Sequence, residues 1–261
     1  MIRVNGNPVE TNKTFPDGAL ALKAPSISST TPVHIYWNYE NDAELFALIC
    51  LRKKYSEKDV ILHLPYICHA RMDRVKNDDD VFTLKYFCET INSLNFKKVC
   101  VLDAHSNVAL ALLDRVVQMP VEKHIRSAIE VHDNGNLALF YPDEGSVKRY
   151  ADMHPKIPFA FGIKKRDWTT GTILSLEIMQ AENIVGKDVL IIDDICSRGG
   201  TFYHAAKALK EAGANSVSLY VTHCENTILQ GDIFSSKMID TLYSTDSLVH
   251  CDELAKKIIY V

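Results

Sequence analysis

The stretch VLIIDDICSRGGTF, residues 189–202, predicts the fold class of this chain. Four apolar residues form a candidate buried strand, two aspartates follow, and a glycine-rich bend leads into a helical pattern. In open α/β sheets, ligands bind beyond the carboxyl ends of strands, often against a helix N-terminus. We therefore expect Asp193 and Asp194 to hold ribose hydroxyls or a hydrated cation, and the backbone of residues 197–201 to wrap a phosphate. The alternative is a tight turn whose aspartates only cap the next helix.

Apolar runs alternate with amphipathic stretches along the chain. Strands are predicted at residues 60–64, 99–102, 137–140, 189–192 and 217–221, and helices at residues 41–55, 83–94 and 202–212. Asn41 and Glu44 predict a capping box at the start of the first helix. This alternation indicates an α/β fold with mainly parallel sheets flanked by helices.

Two segments, KKVCVLDAHSN and KDVLIIDDICS, both place acidic or histidine side chains just past a buried strand. This repetition predicts two lobes, residues 1–122 and residues 123–261, with the last residues free to return to the first lobe.

Composition excludes several function classes. The chain has 261 residues, 47% of them hydrophobic, and a formal net charge of −4, so we expect neither nucleic acid nor a membrane surface as a partner. No apolar run is long enough for a transmembrane helix, and the first residues lack the apolar core of a secretory signal. Seven scattered cysteines without a C-x-x-C pair argue against a disulfide framework and a zinc site. We expect a cytoplasmic protein.

Five motifs in order carry a family resemblance. The opening stretch resembles the phosphoribosyl-diphosphate signature of type I phosphoribosyltransferases. LPYICHARMDR (64–74) is similar to the P-Y-x-x-x-A-R-Q-D-R segment of ribose-phosphate diphosphokinases, VLDAHSN (101–107) to their M-D-L-H, and YPDEGSVKR (141–149) to their S-P-D-x-G-G-x-K-R. FAFGIKKRD (159–167) falls where they carry K-x-R. The chain thus resembles the ribose-phosphate diphosphokinase (phosphoribosyl-diphosphate synthetase) family, which implies two type I phosphoribosyltransferase-like lobes.

The resemblance also implies a reaction. The β,γ-diphosphoryl group of ATP moves to the anomeric hydroxyl of a ribose 5-phosphate unit and AMP leaves, with Mg²⁺ as cofactor. The ATP site would comprise Phe15, Asp17, Arg71, Asp73 and His105. Metal ligands would be His105 and Asp143, and the catalytic residues would be Lys164, Arg166 and His105. The ribose phosphate would be bound by Asp193, Asp194, Ser197, Arg198, Gly199, Gly200 and Thr201. Relatives build ATP sites across subunit interfaces, so we expect a homodimer or a larger homo-oligomer.

The sequence departs from the family pattern at several positions. Ala19 stands where a base-binding glutamate is usual, Met72 replaces a glutamine, and residues 78–80 are acidic where relatives carry a basic mobile loop. In the phosphate loop, Ser197-Arg198 replaces the usual Asp-Thr, which makes the loop more positive. Arg198 could pair a second phosphate, as in ADP-ribose, which short members of the family, chiefly from bacteriophages, diphosphorylate in NAD⁺ rebuilding.

Three alternatives stay open at this point. The acceptor is ribose 5-phosphate or ADP-ribose. The protein could instead be a phosphoribosyltransferase that consumes phosphoribosyl diphosphate, although such an enzyme does not need the HARMDR and DAHS segments. It could also be a catalytically inactive regulatory subunit, although such a subunit would have no chemical need for the retained motif residues.

Overall fold

The computed structural model describes residues 1–28, 32–132, 135–166 and 173–261, and it leaves out the side chains of residues 164–166 and 173–175. The chain divides into two compact units. Unit 1 comprises Met1–Pro120 and Ser247–Val249, and unit 2 comprises Val121–Asp246 and His250–Val261.

Unit 1 contains a sheet in the order β2-β1-β3-β4-β5-β6. Its strands are β1 (Ile2–Val4), β2 (Asn7–Val9), β3 (Val33–Trp37), β4 (Val60–His63), β5 (Lys98–Leu102) and β6 (Val116–Met119), and its helices are α1 (Ala43–Lys54), α2 (Thr83–Ser93) and α3 (Asn107–Leu112). Strands β3 to β6 are parallel, whereas β1 runs antiparallel to β2 and β3. The β1–β2 turn contains Asn5 and Gly6, both with positive φ, which is the conformation that an Asn-Gly hairpin turn requires.

Unit 2 contains a sheet in the order β13-β12-β11-β10-β7-β8-β9. Its strands are β7 (Leu137–Tyr141), β8 (Phe159–Arg166), β9 (Ile173–Met179), β10 (Asp188–Cys196), β11 (Ser216–Cys224), β12 (Thr241–Ser244) and β13 (Ile258–Tyr260). Its helices are α4 (Glu122–His132), α5 (Glu144–Tyr150), α6 (Gly200–Glu211), α7 (Ile233–Ser236) and α8 (Asp252–Ala255). The pairing is parallel except between β8 and β9.

Each unit has its own hydrophobic core. In unit 1 the core side chains come mainly from β1, β3, β4, β5, α1 and α2, and in unit 2 mainly from β7, β10, β11 and α6. The predicted α/β fold with mainly parallel sheets flanked by helices is confirmed. Over the described residues, no helix combines the length and the apolar character needed to cross a bilayer.

Two local predictions were wrong in detail. The carboxylate of Glu44 does not close a capping box with Asn41, because it is buried and accepts hydrogen bonds from the Trp37 indole N–H (2.8 Å) and the Glu40 backbone N–H (2.9 Å). Strand β10 does not end before its aspartates. It continues through Cys196, because β11 keeps pairing with it up to Cys224.

Candidate active site

The end of β10 has a paired strand on one side only. Strand β7 pairs with β10 as far as Ile191, whereas β11 pairs with it as far as Cys196. Asp193 and Asp194 lie on this part of β10, and Ser146 and Arg149 of helix α5 form hydrogen bonds with them. Open α/β folds bind ligands beyond the carboxyl ends of their strands, so this end of β10 is the candidate ligand site.

A serine links two of the predicted acidic residues. Asp143 is the N-cap of α5, and its Oδ1 accepts from the backbone N–H of Ser146 (3.1 Å). The buried hydroxyl of Ser146 lies 3.2 Å from Asp143 Oδ1 and 3.0 Å from Asp193 Oδ1. A serine hydroxyl has one hydrogen, so it can donate to only one of these carboxylates at a time. Both oxygens also accept a backbone N–H, Asp143 Oδ1 from Ser146 and Asp193 Oδ1 from Asp194 at 3.0 Å.

The neighbouring aspartate is neutralised by an arginine. The Nη1 of Arg149 donates to Asp194 Oδ2 at 2.8 Å, and the Asp194 side chain is almost fully buried. Arg149 lies in the last turn of α5, one turn after Ser146. A buried carboxylate without a partner would be costly, so this ion pair keeps Asp194 charged inside the fold.

Asp193 has no such cation beside it in the described contacts. Burial, first, and then the charges of Asp194 and Asp143 raise the pKa of Asp193 to about 7. Hydrogen bonds from the Asp194 backbone N–H and from Ser146 act in the opposite direction. Asp193 thus changes protonation state near neutral pH, unlike an ordinary aspartate.

The acidic residues suit a hard cation, but they do not form a complete cage. Mg²⁺ prefers oxygen ligands and is commonly held by one or two carboxylates together with substrate phosphates and water. Within the described part of the chain, no group of three or more His, Cys, Asp or Glu side chains is arranged to hold a metal ion. The oxygen chemistry of Asp143 and Asp193 therefore fits Mg²⁺ only with ligands from a substrate.

The predicted phosphate loop follows β10 directly. Gly199 has φ +78°, a conformation that disfavours other residues, and helix α6 begins at Gly200. A side chain at Gly199 would also clash, because its Cβ would lie 2.1 Å from the Cδ1 atom of Ile233. Arg198 is exposed and Thr201 is half-buried. The loop thus presents backbone N–H groups at the start of a 12-residue helix, which favours an anion.

In unit 1, residues that follow β4 and β5 meet. Asp73 accepts hydrogen bonds from Arg74 Nε (2.7 Å) and from the hydroxyl of Ser106 (2.8 Å). The pKa of Asp73 is lowered, chiefly by Arg74 and then by Ser106, and the nearby His105 contributes. His105 and Arg71 are exposed. The structure therefore brings Asp73 and His105 together, as two motifs of the predicted ATP site require.

Phe15 and Asp17 occupy an exposed turn of unit 1. Asp17 Oδ1 accepts from the Ala19 backbone N–H at 2.9 Å, and Gly18 has φ +85°. This Asx turn leaves the Phe15 ring 59% exposed. An exposed ring is available for stacking, but no described contact joins it to Asp73 or His105.

The predicted catalytic residues Lys164 and Arg166 lie at the end of β8, opposite Leu176 and Ile173 of β9. Their side chains are outside the described residues, so their roles rest on the motif alone.

The sequence did not predict three residues of the candidate site in unit 2, namely Ser146, Arg149 and Glu225. Arg149 had a sequence signal, because it ends the YPDEGSVKR motif. The hydroxyl of Ser197 donates to Glu225 Oε2, and this contact joins residues 28 positions apart in the chain. No local pattern reveals such a contact.

Comparison with known proteins agrees with the motifs. The family described as phosphoribosyl transferase domain matches residues 116–253, more than half of the chain. A ribose-phosphate pyrophosphokinase from Saccharolobus solfataricus is 28% identical over 223 residues, covering 81% of this chain and 75% of the relative. One from Mesorhizobium japonicum is 30% identical over 213 residues, covering 78% of this chain and 67% of the relative.

A solved structure shows the same fold. The phosphoribosylpyrophosphate synthetase from Mycobacterium smegmatis superposes with a TM-score of 0.77 at 18% identity, covering 95% of this chain and 84% of that protein. The predicted type I phosphoribosyltransferase fold and the diphosphokinase-type class of enzyme are confirmed at the level of the family. The chain belongs to the phosphoribosyl transferase domain family and, within it, to the ribose-phosphate pyrophosphokinases.

Proposed function

We propose that this protein transfers the β,γ-diphosphoryl group of ATP to the anomeric hydroxyl of a ribose 5-phosphate unit and releases AMP. The observation that carries the proposal is the end of β10, where two carboxylates are followed directly by a glycine loop that opens helix α6. Carboxylates accept hydrogen bonds from ribose hydroxyls, and the backbone N–H groups of the loop suit a 5-phosphate. The names of the relatives support the same reaction class.

In this proposal the residues of unit 2 bind and orient the acceptor. Asp193 accepts a ribose hydroxyl in its ionised form, and Asp194 stays ionised because Arg149 neutralises it. The loop binds the 5-phosphate and fixes the position of the sugar. Diphosphoryl transfer depends mainly on such positioning and on neutralising the charge of the phosphates.

ATP is assigned to residues 1–122 and the acceptor to residues 123–261. Arg71 and His105 are exposed and would contact the phosphates of ATP, while Asp73 is held in place by Ser106. Lys164 and Arg166 are proposed to contact the transferring group, because their motif matches the K-x-R of the family. His105 is proposed to bind Mg²⁺–ATP and Asp143 to act at a second metal site, and Mg²⁺ bound there would neutralise phosphate charge.

An assay of AMP release tests the proposal. The protein is incubated with MgATP alone, with ribose 5-phosphate added, and with ADP-ribose added, and the nucleotides are separated. We expect AMP to form only when an acceptor is present. The exposed side chain of Arg198 leaves ADP-ribose open as an acceptor, since it could reach a second phosphate.

The matched variants are Lys164→Ala and Lys165→Ala, which remove the same charge from adjacent residues of β8. We expect the first to lose at least about 100-fold in turnover, the order of effect of one transition-state contact, and the second to lose little. Formation of AMP without either acceptor would contradict acceptor-coupled transfer. No AMP under any condition would favour an inactive regulatory subunit, and consumption of phosphoribosyl diphosphate with a base would favour a phosphoribosyltransferase.

A further inference from the structure

A carboxylate from the end of β11 contacts the phosphate loop. Glu225 Oε2 accepts the hydroxyl hydrogen of Ser197, the first residue after β10, and also accepts from the Thr227 hydroxyl at 3.1 Å. The Glu225 backbone N–H donates to the carbonyl oxygen of Cys196 at 2.8 Å. Main chain and side chain of one residue thus hold the point where β10 passes into the loop.

The segment after Glu225 lies close against the rest of the loop. A Cβ atom at Gly231 would be 1.9 Å from the carbonyl oxygen of Arg198, and a Cβ atom at Gly199 would be 2.1 Å from Ile233 Cδ1. Residues 225–233 therefore touch the loop at three successive residues. A loop packed in this way has little freedom, so its shape depends on the segment beside it.

The contact also explains the unusual residues of the loop. The family motif has an aspartate at the position of Ser197, so the loop itself lacks a carboxylate there. Glu225, the residue after β11, places a carboxylate within hydrogen-bond distance of the Ser197 hydroxyl. We propose that Glu225 is a positioning residue for acceptor binding: through Ser197 it holds the phosphate loop in the shape that binds ribose 5-phosphate.

This inference rests on the proposed function for the identity of the ligand, but not for the contact. Glu225 does not touch the ligand in this account, and it acts by fixing the backbone N–H groups of the loop before the phosphate arrives. Preorganisation of this kind improves affinity because the ordering cost is already met. A purely structural Glu225 would change the stability of the fold without changing affinity or the local opening of the loop.

The test compares Glu225→Gln with Asp232→Asn in the full-length protein. Asp232 is an exposed carboxylate of the same segment, so the control loses the same charge without losing the contact to Ser197. Titration calorimetry measures the Kd for ribose 5-phosphate, and hydrogen exchange measures opening of residues 197–201. We expect Glu225→Gln to raise the Kd about tenfold, the scale of one lost charge-assisted hydrogen bond, and to speed exchange in the loop. The control should match the wild type in both measurements.

A double variant distinguishes the loss of the Ser197–Glu225 contact from a general loss of folding. The double variant Ser197→Asp/Glu225→Gln places the carboxylate at position 197 and a hydrogen-bond donor, the glutamine amide, at position 225. We expect its Kd for ribose 5-phosphate to lie within about threefold of the wild-type value. In Glu225→Gln, the KM for the acceptor should change more than kcat. Wild-type loop exchange and affinity in Glu225→Gln would overturn the inference, and so would a double variant no better than the single one. A wild type that binds no ribose 5-phosphate would instead count against the proposed function, and the exchange measurement would still decide the role of Glu225.

Discussion

Each unit places an aspartate of its candidate site in or after a parallel strand, but the two aspartates have opposite properties. In unit 1, Asp73 lies beside Arg74 and Ser106, and its pKa is lowered. In unit 2, Asp193 lies beside Asp194 and Asp143, and burial and these charges raise its pKa to about 7. The same residue type is therefore an anion in a loop of unit 1 and a group that titrates near neutral pH in the last part of β10 in unit 2.

Strands of the two sheets also differ in burial. In β3 of unit 1 buried and accessible residues alternate, and Tyr36 is 38% exposed. In β7 of unit 2 every residue is buried. Burial lowers the local dielectric response, so charges near the centre of unit 2 interact more strongly than those at the surface of unit 1. We expect substitutions at charged residues to have larger effects in unit 2.

The largest expected effect comes from breaking the buried ion pair of unit 2. Arg149→Ala removes the cation from the buried carboxylate of Asp194, which lies beside Asp193, and we expect the free energy of unfolding to fall by about 3 kcal/mol. The matched change in unit 1, Arg74→Ala, removes an exposed partner of Asp73 and should leave the urea midpoint almost unchanged. Urea unfolding followed by circular dichroism measures both. Equal losses in the two variants would remove the difference between the units.

A second prediction uses the pH dependence of stability. Because the pKa of Asp193 is higher in the folded chain than in the unfolded chain, the folded state holds a proton that the unfolded state has released between about pH 4 and about pH 7. This contribution to stability is present below the unfolded pKa and is lost as the pH rises through the folded pKa. We expect the wild type to lose about 2 kcal/mol over this window, a discounted conversion of the pKa shift.

Asp193→Asn removes the titrating group and should flatten that part of the pH profile. Asp73→Asn is the control in unit 1, where the lowered pKa has the opposite sign and stability is lost only at acid pH. Chemical unfolding at a series of pH values measures both profiles. An Asp193→Asn profile as steep as the wild type would show that another group titrates.

The sequence predicted the elements better than their contacts. Apolar runs located β4, β5, β7, β10 and β11 because a strand buried in a parallel sheet is apolar over consecutive residues. The capping box at Glu44 was wrong because Trp37, on another element, offers a buried hydrogen bond that local spacing does not show. The length of β10 depends on β11, and that pairing is also not local.

The same limit applies to the candidate site. Asp193 and Asp194 were predicted because a strand and a glycine turn frame them in the sequence. Arg149 and Ser146 reach them from 45 and 47 residues away, and Glu225 reaches Ser197 from 28 residues away. Folding creates these contacts, and they decide the charge state that residue types alone leave open.

The smallest expected effect compares two serines that serve the acidic residues. Ser106→Ala removes the hydrogen bond to Asp73 and the N-cap of α3, and Ser146→Ala removes the hydroxyl beside Asp193. Each change should cost about 1 kcal/mol of stability. Both hydrogen bonds lower the pKa of their aspartate, so both variants should raise it.

The two units should then differ in whether the pKa of the aspartate moves towards or away from the value of an ordinary aspartate. Asp73 should move towards the usual pKa, and Asp193 should move further above it, since burial and its acidic neighbours remain. Carboxyl carbon shifts in NMR titrations measure each pKa directly. An unchanged pKa of Asp193 in Ser146→Ala would mean that the hydroxyl donates to Asp143 and not to Asp193.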